Sequence, residues 1–514
     1  MANTVVQDLS SGRLAITRKI SRNIYHTQNV PSHMKLKFTL ALTLSICGSL
    51  LAAPKNVLLI VADDLGCRDL ACFGSDFYDT PHLDSLCADS LKLTQAYAAC
   101  PVCSPSRSAL MTGRHPARTK NTDFFGGFNP APGKKVPPRW KKMPVLPAPY
   151  IETLDSALTT LPEALKAQGF RTFFAGKWHL GHKGSWPEDH GFDINKGGWT
   201  KGGPYGGKKY FSPYGNPKLK DGPNGEHLPD RLASETNSFI NADKDKPFFA
   251  MLSFYSVHTP LIGREDLVEK YKAKAAKLDH SDEQVWGFDA PRKVRIKQNH
   301  AIYAAMVEAM DQAVGKVIDN LKKQGKYEDT LIVFTSDNGG LSTSEGWATS
   351  NFPMRTGKGW LYEGGTKVPT IIRIPGTTKP GSTSDQFFIG TDIFPTALDA
   401  CGLPLLEEIH IDGQSLLKPE KDRPLYWHYP HWGNQGGSPG SVVRIGDYKL
   451  IRYYSGKAPE LFDLSVDGSE EKNLYSSKPE IAAKLNKNLD GWLKETDATL
   501  PLKNPEYPGD IKKW

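Results

Sequence analysis

The sequence predicts an α/β fold followed by a C-terminal stretch of short strands and one helix, and three observations carry that expectation. Four apolar runs of strand length, at 57–62, 170–175, 248–255 and 331–335, each end abruptly in polar residues. Helical patterns lie between them, at 154–169, 229–242 and 300–325, the last with Ile302, Met306, Met310, Val314, Val317 and Leu321 on one side. After about Arg423 the texture changes to short β-type runs at 425–429, 441–445, 448–454 and 461–464, before a closing helical pattern at 479–496.

In chain order, residues 1–53 read as a leader. Lys35 and Lys37 precede an apolar run, 38–51, that ends in Ala52-Ala53, the pattern of a secretory signal peptide starting at about Met34. The run is short for a membrane span, so no stable span is expected. Secretion or a periplasmic location follows, with lipoprotein anchoring through Leu44-Ser45-Ile46-Cys47 as a minor alternative, Ile46 being the wrong size beside the Cys. The expected organisation is 1–53 leader, 54–422 catalytic domain and 423–514 C-terminal subdomain.

Charge excludes one class of partner. The chain is +8, of which the leader carries +5 through six Lys/Arg and one Asp, leaving about +3, too little for a nucleic-acid binder of this size. Seven Cys at 47, 67, 72, 87, 100, 103 and 401 do not make a disulfide scaffold, and their spacing assigns no pairing. Gly and Pro, 47 and 38 residues, concentrate in long loops such as 126–149 and 197–225, which are expected to shape a pocket.

The run Cys103-Ser104-Pro105-Ser106-Arg107, continuing to Gly113-Arg114, reads as a short helix with Ser104 as N-cap, Pro105 in the first turn and Gly113 at the stop. Cys103 at a helix N-terminus, with Arg107 one turn along, suits a nucleophile facing an anion. Two oxygen-rich pairs at strand ends, Asp63-Asp64 and Asp337-Asn338, suit a hard divalent ion, Ca²⁺ or alternatively Mg²⁺. Taken singly, each of these features has an ordinary structural reading: a buried cysteine, or carboxylates capping a turn.

The segment C-x-P-S-R-x-x-L-x-T-G-R resembles the first signature of the type I, formylglycine-dependent sulfatases, and Gly169-Phe170-Arg171-Thr172 through Gly176-Lys177-Trp178-His179 resembles the second. The resemblance runs from about Asn56 into the C-terminal region. It implies an alkaline-phosphatase-like mixed sheet sandwiched by helices, with a smaller C-terminal antiparallel sheet and helix. It implies that Cys103 is converted to formylglycine by a maturation enzyme, and that the aldehyde hydrate attacks sulfur to give a sulfated enzyme intermediate. The implied metal set is Asp63, Asp64, Cys103, Asp337 and Asn338, holding Ca²⁺.

The same resemblance implies that Arg107 assists the nucleophile and that Lys177 and Lys358 neutralise sulfate oxygens. It makes His179 the base for sulfate expulsion and His258 the acid for the leaving oxygen. His115, Arg139, Trp140, His428 and His431 are weaker candidates for sugar contacts, being basic or aromatic residues read as lying on loops. Tyr210-Phe211-Ser212-Pro213-Tyr214 and Asp221-Gly222-Pro223 resemble bacterial polysaccharide sulfatases, so a sulfated carbohydrate is the expected substrate, of the galactose or N-acetylgalactosamine 4-sulfate type. Two alternatives differ in chemistry. A phosphatase or phosphodiesterase of the same superfamily would carry Ser or Thr as nucleophile and a His-rich two-metal site, neither of which the sequence has. A non-catalytic sulfated-glycan-binding protein would leave Cys103 a thiol.

Overall fold

The computed structural model describes residues 53–130, 135–243, 245–278, 282–289, 291–420, 422–507 and 509. Apart from Ala53, the predicted leader lies outside the described residues.

The main sheet has eight strands: β1 (Asn56–Ala62), β2 (Leu91–Leu93), β3 (Arg171–Gly176), β4 (Ile194–Lys196), β5 (Phe248–Ser253), β6 (Thr330–Ser336), β7 (Thr370–Arg373) and β8 (Ser382–Ser384). Their order is β8-β2-β7-β6-β1-β5-β3-β4. β6, β1, β5, β3 and β4 run parallel, whereas β7 is antiparallel to both β6 and β2, which makes the sheet mixed. β1, β5 and β6 are buried along their whole length, as expected of near-continuous apolar strands covered on both faces. The edge strands β4 and β8 are only three residues long, β8 is polar throughout and β4 ends in Asn195-Lys196, features that discourage further pairing.

Alternation along β1 divides the core. Leu58, Ile60 and Ala62 pack with helices Leu228–Ala242 and Ala301–Lys323, while Val57, Leu59 and Val61 pack with Leu110 and Met111 of helix Cys103–Thr112 and with Leu161 and Leu165. The apolar side of Ala301–Lys323 is core, and His300 caps it by accepting from the Tyr303 N–H at 3.3 Å.

Two local expectations are corrected. The predicted helix at 154–169 is confined to Leu161–Ala167, because Thr160 and Glu163 form a capping box that fixes the start and Pro162 suits the first turn. The helix at Cys103 begins two residues earlier than its composition indicates. Val102 is the N-cap, and Ser104, already inside the first turn, uses its Oγ to accept from the Phe125 N–H at 3.1 Å.

Four antiparallel strands, β9 (Leu425–Tyr429), β10 (Gly440–Ile445), β11 (Tyr448–Tyr453) and β12 (Glu460–Asp463), form a second sheet in meander order. One face packs Val443, Leu450 and Leu461 against Leu485, Leu489 and Trp492 of helix Pro479–Glu495. The other packs Trp427, Val442, Ile451 and Phe462 against Tyr97, Ala99, Val102 and Trp360-Leu361-Tyr362. The second sheet therefore braces the segments that flank Cys103 and Lys358. No described helix is long and apolar enough to cross a membrane.

Candidate active site

The four apolar runs singled out in the sequence become adjacent parallel strands, in the order β6-β1-β5-β3, and their carboxyl ends meet at one edge. β1 delivers Asp63 and Asp64, β3 delivers Lys177 and His179, β5 leads to His258, and β6 leads to Asp337 and Asn338. Ligand sites of open α/β sheets lie at such edges. Close approach of β3 and β5 requires Gly176, whose backbone has φ +107° and where a Cβ would stand 1.8 Å from the Ser253 carbonyl oxygen. Asp64 and His179 are non-glycine residues with φ +60° and +56°, a strain of roughly 1–3 kcal/mol each that packing must offset.

All six residues assigned to catalysis by resemblance, and all four acidic or amide positions, are buried in one cluster. Lys177 Nζ donates to both oxygens of Asp63, at 2.8 and 2.7 Å, and Lys358 Nζ donates to Asp64 Oδ2 at 2.8 Å. Arg107 donates through Nε to Asp337 Oδ2 at 2.8 Å and through Nη1 to Ser253 Oγ and the Lys177 carbonyl. Its Nη2 is buried without a partner. Burial alone would discharge Lys177 and Lys358, but the surrounding negative groups, led by Asp63 and Asp64 respectively, together outweigh it and keep both ammonium groups protonated.

The histidines have defined tautomers. His179 Nε2 faces the Phe125 carbonyl at 3.0 Å, which can only accept, so Nδ1 is the unprotonated nitrogen and receives the Cys103 thiol at 3.3 Å. Burial, reinforced by Lys177, holds the His179 pKa well below its usual value. His258 Nδ1 donates to the Thr259 carbonyl at 2.7 Å, and Nε2 stands 3.7 Å from Asp64 Oδ2. Burial and the Lys358 charge push His258 down to about 3, against the pull of Asp64. Tyr210 holds this turn by donating to the Tyr255 and His258 carbonyls at 2.7 and 2.8 Å. Burial also raises the Cys103 thiol above its ordinary pKa, which keeps it protonated and a poor nucleophile in its unmodified form.

The donor set fits a hard cation. Asp63, Asp64, Asp337 and Asn338 offer carboxylate and amide oxygens in one place, Asp64 N–H donates to Asp337 Oδ1 at 3.2 Å, and Asn338 Oδ1 is buried with no partner. Oxygens of Asp63 and Asp64 and a nitrogen of His258 lie within 4.8 Å of one another, which puts His258 at the edge of the same oxygen cluster.

Above the cluster opens a cavity of about 500 Å³, with Cys103, His179, His258 and Lys358 at its floor. The predicted pocket loop 197–225 contributes Thr200, Lys201, Gly202 and Tyr205, and Gly202 lies so near the His179 ring that a Cβ would come within 2.4 Å of it. Tyr205 reaches toward His258 Nδ1 at 3.4 Å. Sequence reasoning missed Tyr205, Glu345, Asn434 and Gln435, which stand on irregular segments with no periodicity to single them out.

The weaker sugar candidates fall elsewhere. His115 caps the short helix Pro116–Thr119 and bonds the Tyr426 carbonyl, His428 bridges Ser441 and Thr499, and His431 is fully buried against Thr122 and Asp123. These three are packed into the structure and do not line the Cys103 cavity. Trp140 stacks on Phe128, and Arg139 reaches the cavity wall only indirectly, by donating to Asn434 Oδ1 at 2.9 Å.

Comparison with known proteins agrees with this geometry. A family model described as Sulfatase matches residues 55–403, and one described as N-sulphoglucosamine sulphohydrolase, C-terminal, matches residues 356–497. A protein of Formosa agariphila described as Sulfatase is 30% identical over 86% of this chain and 89% of its own. The dog N-acetylgalactosamine-6-sulfatase is 29% identical over 82% of this chain and 76% of its own. The crystal structure of Ps i-CgsB in complex with k-i-k-neocarrahexaose superposes with a TM-score of 0.69 at 26% identity, covering 88% of this chain and 94% of that one.

Proposed function

Because the chain belongs to the sulfatase family and is a sulfuric ester hydrolase, we propose that it removes sulfate from a sulfated carbohydrate. The observation that carries this reading is the cavity itself. Three buried cations, Arg107, Lys177 and Lys358, converge beneath it, while Tyr205, Phe124, Thr200, Asn434 and Gln435 on its walls offer the ring faces and hydrogen-bonding groups that suit a sugar. Relatives that act on or bind sugars, namely the N-acetylgalactosamine-6-sulfatase and the neocarrahexaose complex, support the same choice.

Matured to formylglycine, residue 103 supplies the attacking oxygen as an aldehyde hydrate. Asp63, Asp64, Asp337 and Asn338 would hold a divalent ion, Ca²⁺ or Mg²⁺, which would supply Lewis acidity at this site. The remaining work belongs to the side chains. Lys177, Lys358 and the free Nη2 of Arg107 neutralise sulfate oxygens as charge builds, in a buried place where such stabilisation is strongest. His179, with its unprotonated Nδ1 beside residue 103, takes the proton there. His258, whose Nδ1–H is committed to Thr259, takes a proton from solvent at Nε2 when the negative sulfate ester enters, and gives it to the departing sugar oxygen.

The test is sulfate release by protein co-expressed with a formylglycine-generating enzyme. The panel holds 4- and 6-sulfated galactose and N-acetylgalactosamine, longer sulfated galactans and an aryl sulfate, with Cys103→Ala as control. Release from a sugar, absent in the control, is the expected result, and the 4-sulfates are the first compounds to try. Release from the aryl sulfate alone by fully converted protein would overturn the carbohydrate assignment.

A further inference from the structure

A site that gathers three cations around an anion has a carboxylate on its rim. Among the described residues Glu345 is the one acidic side chain lining the Cys103 cavity. Its placement is built into the fold. Glu345, Gly346 and Trp347 all have positive φ, at 52°, 95° and 44°, so two non-glycine residues are held in the left-handed region. The loop is pinned from behind: Arg295 Nε donates to the Trp347 carbonyl at 2.6 Å, Trp347 Nε1 donates to the Lys293 carbonyl at 3.0 Å, and the Trp347 ring meets Trp286 edge-on.

In front, Gln435 orients the carboxylate. Its Nε2 donates to Glu345 Oε1 at 2.7 Å, its backbone carbonyl accepts from Trp360 Nε1 at 3.0 Å, and its side chain rests on Gly359, where a Cβ would lie 2.3 Å from Gln435 Oε1. Gln435 thus joins Glu345 to the Lys358-Gly359-Trp360 segment. Among the described residues no Lys, Arg or His forms an ion pair with Glu345, although its charge is felt by Lys358. Lys358 already has a direct partner in Asp64 at 2.8 Å, so Glu345 is not needed to pair it, and a negative charge on the rim weakens sulfate binding. Its benefit must come from the part of the substrate that surrounds the sulfate.

We propose that Glu345 is a specificity-determining residue: it accepts a hydrogen bond from a free hydroxyl next to the sulfate ester, and its charge excludes sugar units that carry a second sulfate or a carboxylate there. The attractive part is a charge-assisted hydrogen bond, and the repulsive part is the kind of element by which sites reject near relatives of their substrate. The assignment rests on the carbohydrate reading above.

The experiment compares N-acetylgalactosamine 4-sulfate, 6-sulfate and 4,6-disulfate as substrates of the matured enzyme and of E345Q, which keeps the shape and the acceptor for Gln435. Calorimetric binding of the same sugars to Cys103→Ser protein, with and without E345Q, gives a readout independent of turnover, and thermal melting checks that the variants fold. The wild type is expected to prefer its monosulfate over the disulfate by at least tenfold in kcat/KM, and E345Q to bring the ratio to within about threefold, with the same trend in binding. An unchanged ratio in E345Q, or equal use of mono- and disulfate by the wild type, overturns the role of Glu345 and leaves the carbohydrate reading standing. If no sulfated sugar binds or turns over, both fall.

Discussion

His179 Nδ1 lies 3.3 Å from Cys103 Sγ, on the first residue of a helix and just past the end of a strand 76 positions away in sequence. Across the same floor, His258 directs Nε2 at Asp64. The two imidazoles thus face different ends of the reaction, and their loss should be separable. His179→Ala is expected to lower kcat by about 10²–10⁴ on every substrate, since the proton at residue 103 must move whatever departs. His258→Ala should cost about as much on a sugar sulfate and less than tenfold on nitrophenyl sulfate, whose leaving group needs no proton. Equal losses on both substrates in the His258 variant would refute its role as the acid.

The oxygen cluster predicts a stability effect that needs no turnover. A chelator should lower the melting temperature, and Ca²⁺ at a hundred times its dissociation constant should add about 2.7 kcal/mol to unfolding. Asp64→Ala and Asn338→Ala should abolish the increment. Melting curves that coincide with and without chelator in the wild type would mean that no ion binds there.

A buried triad joins the second sheet to the short helix Glu363–Thr366 of the catalytic part. Lys449 Nζ lies 3.0 Å from Glu363 Oε1 and 2.8 Å from Glu470 Oε1. Burial pushes Glu470 up to about 7, whereas Lys449, aided by Lys367 and Arg444, overcomes burial at Glu363 and holds it at about 2. Lys449→Met leaves Glu470 without its cation and Glu363 with only the more distant Lys367 and Arg444, and should cost about 3–5 kcal/mol in urea unfolding. Adding Glu363→Gln and Glu470→Gln should recover most of it, and failure to recover would mean that Lys449 acts through packing alone.

Acid sensitivity should trace in part to two packed histidines outside the catalytic floor. Burial holds His115 at about 4 and His428 at about 3, below the 6.5 of an unfolded chain, so the unfolded state binds more protons over that interval. Their contribution is complete above pH 6.5 and is lost as pH falls toward 4, at about 1.4 kcal/mol per pH unit for each. Urea midpoints at pH 7.5, 6.5 and 5.5 should drop accordingly, and His115→Gln with His428→Gln should make the trend shallower by the share of two groups, the buried His179, His258, His300 and His431 keeping the remainder. A midpoint independent of pH in the wild type would contradict these assignments.

Much of the catalytic floor was legible because each strand is a continuous apolar run that stops where its chemistry starts, so Asp63, Lys177, His258 and Asp337 announce themselves by position. β2, β4 and β8 were not, since strands of three residues carry no period. The helix start at Cys103 was misjudged because Ser104 is a good cap by composition, yet Phe125 claims its hydroxyl. His115, His428 and His431 were read as loop residues open to sugar, and burial was the missing fact. Glu345 and Gln435 come together from 90 positions apart on irregular backbone, a meeting that only the tertiary structure displays.

The second sheet also sets an order of events in biosynthesis. Every residue of the catalytic floor precedes position 359, but Trp427, which donates to the Ala98 carbonyl at 2.8 Å, and Lys449, which anchors Glu363, are translated later. A ribosome-bound chain therefore holds the complete chemical inventory before it holds the brace that seats Cys103 and Lys358. Competence arrives with the final hundred residues, and a message cut short within them yields a protein with all its reactive groups and no enzyme.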